Sequence, residues 1–441
     1  MATTQLSRSI SSTGNQRTAT FSAWVKKCNP TKDTQSLISF AGSHEVYMHN
    51  AGLRWNDGTG NFLYTNALQR DVSGWYHIMV AIDTTQGTES DRVKFYINGE
   101  HITSLLNSSY PDEDEDLPMN VSSTTNYIGN NNSGTGYLEG AMSHVYWIDG
   151  LAYAPTVFGS TDADSGEWKI NTSPSVTYGT NGFLILKDGN TITDQGSNSN
   201  NFTLDSGTLT DLQDCPDDVF ATMNPLAYPN IAGGTYSNGN NTWVTGNSYY
   251  TYTPATLAVT KGKFYWEVEY DAKSGGTEQP MVGITSTQST ASTHALGYYA
   301  NDWAYYMGNT TSYSWNNNSG TAYGDTYTVG DIISVALDAD NNKLYFAKNG
   351  TWQISGDPTS GATGTGAISI TAPASTPLGA YFPAVCFYSS SENGTFHTNF
   401  GNGIFGTTSI TDEGTNAAGI GKFEYDVPTG YTALSAKGLN N

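Results

Sequence analysis

GDIISVALDADNNKLYFAKNGTW, residues 330–352, reads as two short strands and two turns. Its second half, KLYFAKNG (343–350), alternates apolar and polar residues and closes on Asn349-Gly350. Far upstream, VKFYINGE (93–100) makes the same move into Asn98-Gly99. An Asn-Gly pair suits a two-residue hairpin turn, whose central residues need positive φ. Around the second hairpin lie further period-2 runs: KFYWEVEYDA (263–272), PMVGITS (280–286), AYYMGNT (304–310), YSWNNN (313–318), GAYFPAVCFY (379–388) and FHTNFG (396–401). Around the first lie RTATFSAWVKKC (17–28), SLISFAG (36–42), EVYMHN (45–50), LRWNDG (53–58), FLYTNA (62–67), NYIGNNN (126–132) and YLEGAMSHVYWIDG (137–150). WYHIMVAIDTT (75–85) is apolar almost throughout, as a strand covered on both faces requires. No convincing amphipathic helix appears. YWEVEYDA has no counterpart in the first block and WYHIMVAID none in the second, so these are two different sandwiches rather than a repeat.

The expected fold is all-β: two tandem antiparallel β-sandwiches of different kinds, joined by an irregular linker. The expected divisions are 1–160 for the first sandwich, 161–240 for the connecting segment, 241–410 for the second sandwich and 411–441 for a C-terminal extension. The connecting segment is rich in Asn, Ser, Gly, Thr and Asp and holds one clear strand, GFLILKD (182–188). LAYAPTVFG (151–159) reads as a closing turn started by Pro155. FEYDVPTGYTALSAKGLN (423–440) reads as an extended tail.

Composition fits this architecture. The chain has 441 residues, enough for two or three cores, with 48 Gly, 29 Tyr and only 13% charged residues. Aromatics at 12% exclude a disordered chain. Eighteen Lys and Arg against 40 Asp and Glu leave a net charge of −22, which repels nucleic acid and anionic membranes. No stretch approaches the ~20 apolar residues of a membrane helix. MATTQLSRSISSTG (1–14) has no apolar core, so no secretory signal is expected. Cys28, Cys215 and Cys386 are far apart, lack zinc-site spacing and are expected to be buried free thiols.

The first block resembles the laminin-G/pentraxin-like branch of the concanavalin A-like lectin fold. The residues that carry this are FSAWVKK (21–27), GWYHIMVAIDTT (74–85), VKFYINGE and GAMSHVYWIDGLA (140–152). The second resembles a SPRY (B30.2-type) domain through KFYWEVEY, MVGIT, the opening stretch, AYFPAVCFY and NFG (399–401). The combined order, with Asn224-Pro225-Leu226 near the end of the linker, is similar to a class of bacteriophage virion proteins. That resemblance implies a particle surface component: a fibre, a spike or a capsid decoration. Its partners would be other virion proteins and a host-surface glycan, with a homo-oligomer expected and a trimer the analogy from phage fibres. Location would be the virion surface after assembly in the host cytoplasm, without membrane insertion.

Chemistry is then a matter of sites. Retaining glycosidases need two carboxylates about 5–5.5 Å apart; in the concanavalin-like fold these come from a Glu-x-Asp-x-x-Glu strand, a spacing not found here. Glu267 and Glu269 in YWEVEY share a strand face and are expected to be solvated. His77 lies in the apolar strand and is expected to be a satisfied core histidine. No HExxH or Ser/His/Asp arrangement is evident. The laminin-G resemblance brings in calcium, which Asp112, Asp114 and Asp116, with Glu113 and Glu115, could bind from PDEDEDLP (111–118); the competing expectation is a solvated loop of like charges. LGYYANDWAYYMGNTTSYSW (296–315) gathers Tyr298, Tyr299, Trp303, Tyr305, Tyr306, Tyr313 and Trp315 among Asn, Ser and Gly. Rings with amide and hydroxyl neighbours suit sugar stacking or protein contacts, although strand alternation sends about half of them inward. The function expected is non-enzymatic host-surface glycan adhesion; a structural decoration or fibre subunit and a glycan hydrolase are the competing readings.

Overall fold

The computed structural model describes residues 3–41, 44–227, 234–246, 250, 252–287 and 293–440. The chain divides into two compact units, residues 1–211 with 215–217, and residues 212–214 with 218–441. Each is built on a pair of mainly antiparallel sheets, as the period-2 patterning requires, with a two-stranded ribbon beside them.

In the first unit an eight-stranded sheet runs, in spatial order, Leu105–Ser109, Phe62–Thr65, Gly52–Asn56, His44–His49, Gln35–Phe40, Thr125–Ile128, Gln5–Ser9 and Thr203–Ser206. A six-stranded sheet runs Phe183–Ile185, Gly140–Asp149, Thr18–Lys27, Tyr76–Asp83, Val93–Ile97 and Glu100–His101. Phe21, Ala23, Val25, Ile78, Val80 and Ile82 from the second sheet meet Leu53, Trp55 and Leu63 from the first in one core. The other face of the Tyr76–Asp83 strand is covered too: Met79 and Ala81 pack with Tyr146, Ile148, Leu184 and Phe158. That double cover explains a strand without polar alternation. Pro155 opens the expected single turn of 3₁₀ helix, Pro155–Val157, where its missing N–H costs nothing.

The second unit has a larger sheet, Thr235–Ser237, Thr242–Val244, Gly394–Asn399, Lys263–Lys273, Ile332–Asp338, Lys343–Lys348 and Thr351–Trp352, with two short strands attached off this path. Its partner sheet runs Tyr252–Pro254, Phe382–Phe387, Pro280–Thr285, Trp303–Gly308, Thr311–Asn316 and Ser319–Ala322. Between them lie Phe264, Trp266, Val268, Tyr270, Val282, Ile284, Ile333, Val335, Leu337, Leu344, Phe346 and Val385. Both Asn-Gly turns are as read: Asn98 and Gly99 have φ of 50° and 79°, Asn349 and Gly350 have 45° and 79°. The flanking pairs Ile97–Glu100 and Lys348–Thr351 close each hairpin.

Two expectations need correction. The segment 161–240 is not one connecting body. Phe183–Ile185 pairs with Gly140–Asp149, and Thr203–Ser206 pairs with Gln5–Ser9, so its first part completes both sheets of the first unit. Met223 bridges to Ala255 and Thr235–Ser237 pairs with Thr242–Val244 at the edge of the larger sheet, so its last part belongs to the second. The 423–440 segment is a packed cover rather than an extended tail. Phe423, Val427 and Tyr431 pack with Tyr265, Ala336 and Tyr345 on the outer face of the larger sheet, and Thr432–Ala433 pairs in parallel with Phe264 and Tyr265.

That cover overturns the solvated reading of Glu267, which is 0% exposed. Its Oε1 accepts from the Tyr265 hydroxyl at 2.9 Å and the Tyr425 amide at 2.9 Å. Its Oε2 accepts from the Asn399 amide at 3.2 Å and the Glu424 amide at 3.0 Å. Burial pushes the carboxyl up to about 7, against four donors that favour the charge. Glu269 stays half-buried. His77 is the satisfied core histidine expected: Nδ1 accepts from the Trp168 indole at 3.1 Å, which leaves Nε2–H for the Ser22 hydroxyl at 2.9 Å. Burial holds it down at about 3, so it is neutral. No disulfide joins the cysteines among the described residues; Cys28 and Cys386 are buried, and Cys215 is half-buried.

Candidate functional site

The Trp303–Gly308 and Thr311–Asn316 strands form an antiparallel hairpin with Tyr306 opposite Tyr313 and Ala304 opposite Trp315. Alternation divides the predicted aromatic cluster between two faces. Tyr305 is fully buried and packs with Tyr327 and Phe346 in the core, and Trp303 packs against the same core. Neither can present a ring to a ligand on the outer face. Tyr306, Tyr313 and Trp315 point the other way and gather with Tyr388 and Tyr250. Tyr298 and Tyr299 precede the hairpin; the Tyr298 ring stacks on His294 at 3.6 Å, and the Tyr299 hydroxyl contacts His294 Nδ1 at 2.7 Å.

On that outer face the rings form a continuous set. Tyr250 stacks on Tyr388 at 4.8 Å and 28°. Tyr388 meets Tyr306 at 5.5 Å and Trp315 at 6.3 Å, and Tyr306 meets Trp315 edge-on at 5.3 Å. Tyr250, Tyr313, Trp315 and Tyr388 are only partly buried, while Tyr306 beneath them is 7% exposed. Burial pushes Tyr306 up to about 12 and raises Tyr388, so both hydroxyls stay protonated. The hairpin end is stapled: the Asn316 amide donates to the carbonyls of Ala300 at 2.9 Å and Asp302 at 2.8 Å.

The ring set runs into a cavity of about 240 Å³, where Tyr250 and Tyr388 face Thr277, Gln279, Glu392 and the three serines 389–391. Ser389 accepts from the amides of Ser391 and Glu392, which fixes the turn. Apolar ring faces beside hydroxyl, amide and carboxylate groups can hold a molecule that is flat and apolar on one side and rich in hydroxyls on its edge. Sequence reasoning missed Tyr250 and Tyr388. The signal for Tyr388 was present, since Ala384, Cys386 and Tyr388 continue one alternating face.

The calcium expectation fares differently. Asp114 and Asp116 are taken by Arg17, at 3.1 and 2.7 Å, and Glu113 lies 3.8 Å from Arg92. Glu115 accepts from the Asn61 side chain and the Asp112 amide. Among the described residues, Asp112, Asp114 and Asp116 do not bring three ligand atoms within 4.8 Å of one another. Arginine forks, more than mutual repulsion, organise this loop.

The fold and this face define a class: tandem antiparallel sandwiches, the second with a ring-lined outer face. Residues 3–157 match the concanavalin A-like lectin/glucanases superfamily, and residues 263–403 match the SPRY domain. The chain thus carries a concanavalin A-like domain followed by a SPRY domain, and domains of both kinds are generally binding modules. Similar solved structures include the SPRY domain of human HERC1, at 20% identity over 37% of this chain and 91% of that one, with a TM-score of 0.29. The TRIM65 PSpry domain is 14% identical over 41% and 91% of the two chains, TM-score 0.29. Stonustoxin is 19% identical over 42% of this chain and 27% of its own, TM-score 0.29. No curated protein matches the chain.

Proposed function

We propose that this chain is a non-catalytic adhesion protein whose SPRY domain takes a glycan on the outer ring face of its smaller sheet. The observation that carries the reading is the continuity of Tyr250, Tyr388, Trp315 and Tyr313 with a cavity walled by hydroxyl and amide groups. Sugar rings stack their apolar C–H faces on aromatic rings and turn their hydroxyls to polar neighbours, and this surface offers both. The similarity of the domain order to phage virion proteins supports a place on a particle surface, among other virion proteins and facing host glycans. There a symmetric homo-oligomer, a trimer by analogy with fibres, would turn weak single contacts into avidity.

Affinity electrophoresis of the full chain through gels containing bacterial surface polysaccharide tests this. Retardation of the wild type, and at least tenfold weaker retardation of Trp315→Ala and Tyr388→Ala, is the expected result. A structural subunit packing through the same rings would show no retardation and a lower oligomeric mass in the same variants. Release of reducing ends from the polysaccharide by the wild type would point instead to a hydrolase.

A further inference from the structure

A second cluster lies apart from the ring face, on the larger sheet of the second unit. Glu269 stands opposite His397 in the register between Lys263–Lys273 and Gly394–Asn399. The register then slips between Tyr270 and Ala272, which leaves Asp271 as the extra residue of a bulge. Bulges re-aim a side chain, and this one brings Asp271 beside its neighbours two and more positions away. One ligand atom from each of Glu269, Asp271 and His397 lies within 4.8 Å of the others, and among the described residues this is the only such set of three.

The contacts around these atoms are those of donors held for a cation. His397 Nε2 lies 3.4 Å from Asp271 Oδ2. That is too long for a charge-assisted hydrogen bond, which closes to about 2.7–2.9 Å. It matches the roughly 3.3–3.4 Å edge between two ligands of a tetrahedral ion with bonds of about 2.0–2.1 Å. The other imidazole nitrogen, Nδ1, is held by the Thr242 hydroxyl at 2.8 Å, and the Asn238 side chain steadies that oxygen at 3.0 Å. A partner on the far nitrogen is the usual way a metal-binding histidine is oriented. Gly406, at φ 59°, lies against the imidazole face, where a Cβ would stand 3.0–3.3 Å from Nε2, Cε1 and Cδ2, so only a residue without a side chain lets the ring keep this position. Neither carboxylate pairs with a lysine or arginine among the described residues; Asp271 faces His397 itself. Asp271 is 45% exposed on its side chain, so the cluster is open to solvent.

We infer that Glu269, Asp271 and His397 form a divalent metal site for a borderline ion such as Zn²⁺, with water completing the shell. One imidazole nitrogen and two carboxylate oxygens suit zinc or its first-row neighbours better than calcium, which prefers six to eight oxygens. Bound there, the ion clasps two adjacent strands and replaces repulsion between Glu269 and Asp271 by shared coordination. The site is independent of glycan binding.

Calorimetric titration of the chelator-stripped full chain with zinc chloride tests it. One ion per chain is expected in the wild type, with affinity at least tenfold lower in Asp271→Asn and in Glu269→Gln. Zinc should also raise the Tm of the wild type and leave both variants unmoved. Cobalt(II) in place of zinc should give the wild type the intense visible absorption of a low-coordinate site, which diffuse binding to surface carboxylates does not. That spectrum decides alone if a variant fails to fold in chelator. Zinc uptake by both variants equal to that of the wild type, or none by the wild type with no cobalt spectrum, overturns the assignment.

Discussion

Replacing Glu267 by Gln removes one acceptor oxygen from a carboxyl that four donors surround. Asn399 cannot turn to compensate, because its Oδ1 already accepts from the Gly401 amide at 3.0 Å and the Gly403 amide at 3.1 Å. The new amide nitrogen therefore does least harm at the Oε1 position, where the Tyr265 hydroxyl can reverse and accept. The Tyr425 N–H is still stranded, and a stranded buried donor costs about 1–3 kcal/mol, so about 2 kcal/mol is expected. The comparison is with protonated Glu267, so pH enters with a definite sign. The carboxyl is raised from 4.5 to about 7 in the folded protein. Its contribution is fully present below pH 4.5 and is lost as pH rises through 7. At about 1.36 kcal/mol per pH unit, that window is worth about 3 kcal/mol to the wild type. Gln does not titrate. At pH 4.5 the variant should melt about 4–8 °C below the wild type, using roughly 2–4 °C per kcal/mol for a unit of this size. By pH 8 the two should lie within about 1 kcal/mol of each other. Differential scanning calorimetry of the full chain across this range reads both numbers from the transition of the second unit. A gap that stays constant or widens from pH 4.5 to 8 would refute the reasoning.

Other perturbations probe the turns and the first core. Gly350→Ala must accept φ 79° and put a Cβ 2.7 Å from the Tyr425 ring, whereas Gly330→Ala meets open space at φ 90°. Urea midpoints should show a loss of about 1 kcal/mol for Gly330→Ala and clearly more for Gly350→Ala; equal losses would mean that the 423–440 cover does not press on the hairpin. Trp147→Phe removes the indole donor to Asn120 Oδ1 at 2.9 Å and should lower the stability of the first unit by about 1–3 kcal/mol in the same measurement. His77→Asn strands the Trp168 indole and opens a space among Trp24, Phe158 and Trp168, so it should destabilise the first unit without changing polysaccharide retardation.

Local pattern carried much of the architecture. Asn98-Gly99 and Asn349-Gly350 specify their hairpins through φ alone, and the unbroken apolar run at 76–83 announces a strand covered twice. What pattern could not carry is which distant segment does the covering. Glu267 sits on the polar side of its strand, as alternation says; it is buried because Phe423 and Val427, far along the chain, fold over that side. The same holds for Phe183–Ile185 and Thr203–Ser206, whose partners lie at the other end of the first unit. The ring site was half legible. Composition located the cluster, but only the hairpin register separates Tyr306, Tyr313 and Trp315 from Tyr305 and Trp303. The Glu269, Asp271 and His397 set was invisible, because it depends on a bulge and on a strand pairing across more than a hundred residues.

Glycan bound to the ring face would cover particular side chains. Hydroxyl-radical footprinting of the full chain, with and without the retarding polysaccharide, reads side-chain accessibility ring by ring. Protection concentrated on Tyr250, Tyr313, Trp315 and Tyr388 is the predicted result. Unchanged oxidation of these four rings while saccharide is bound, or protection confined to half-buried rings of the first unit such as Phe62 and Tyr64, would contradict it.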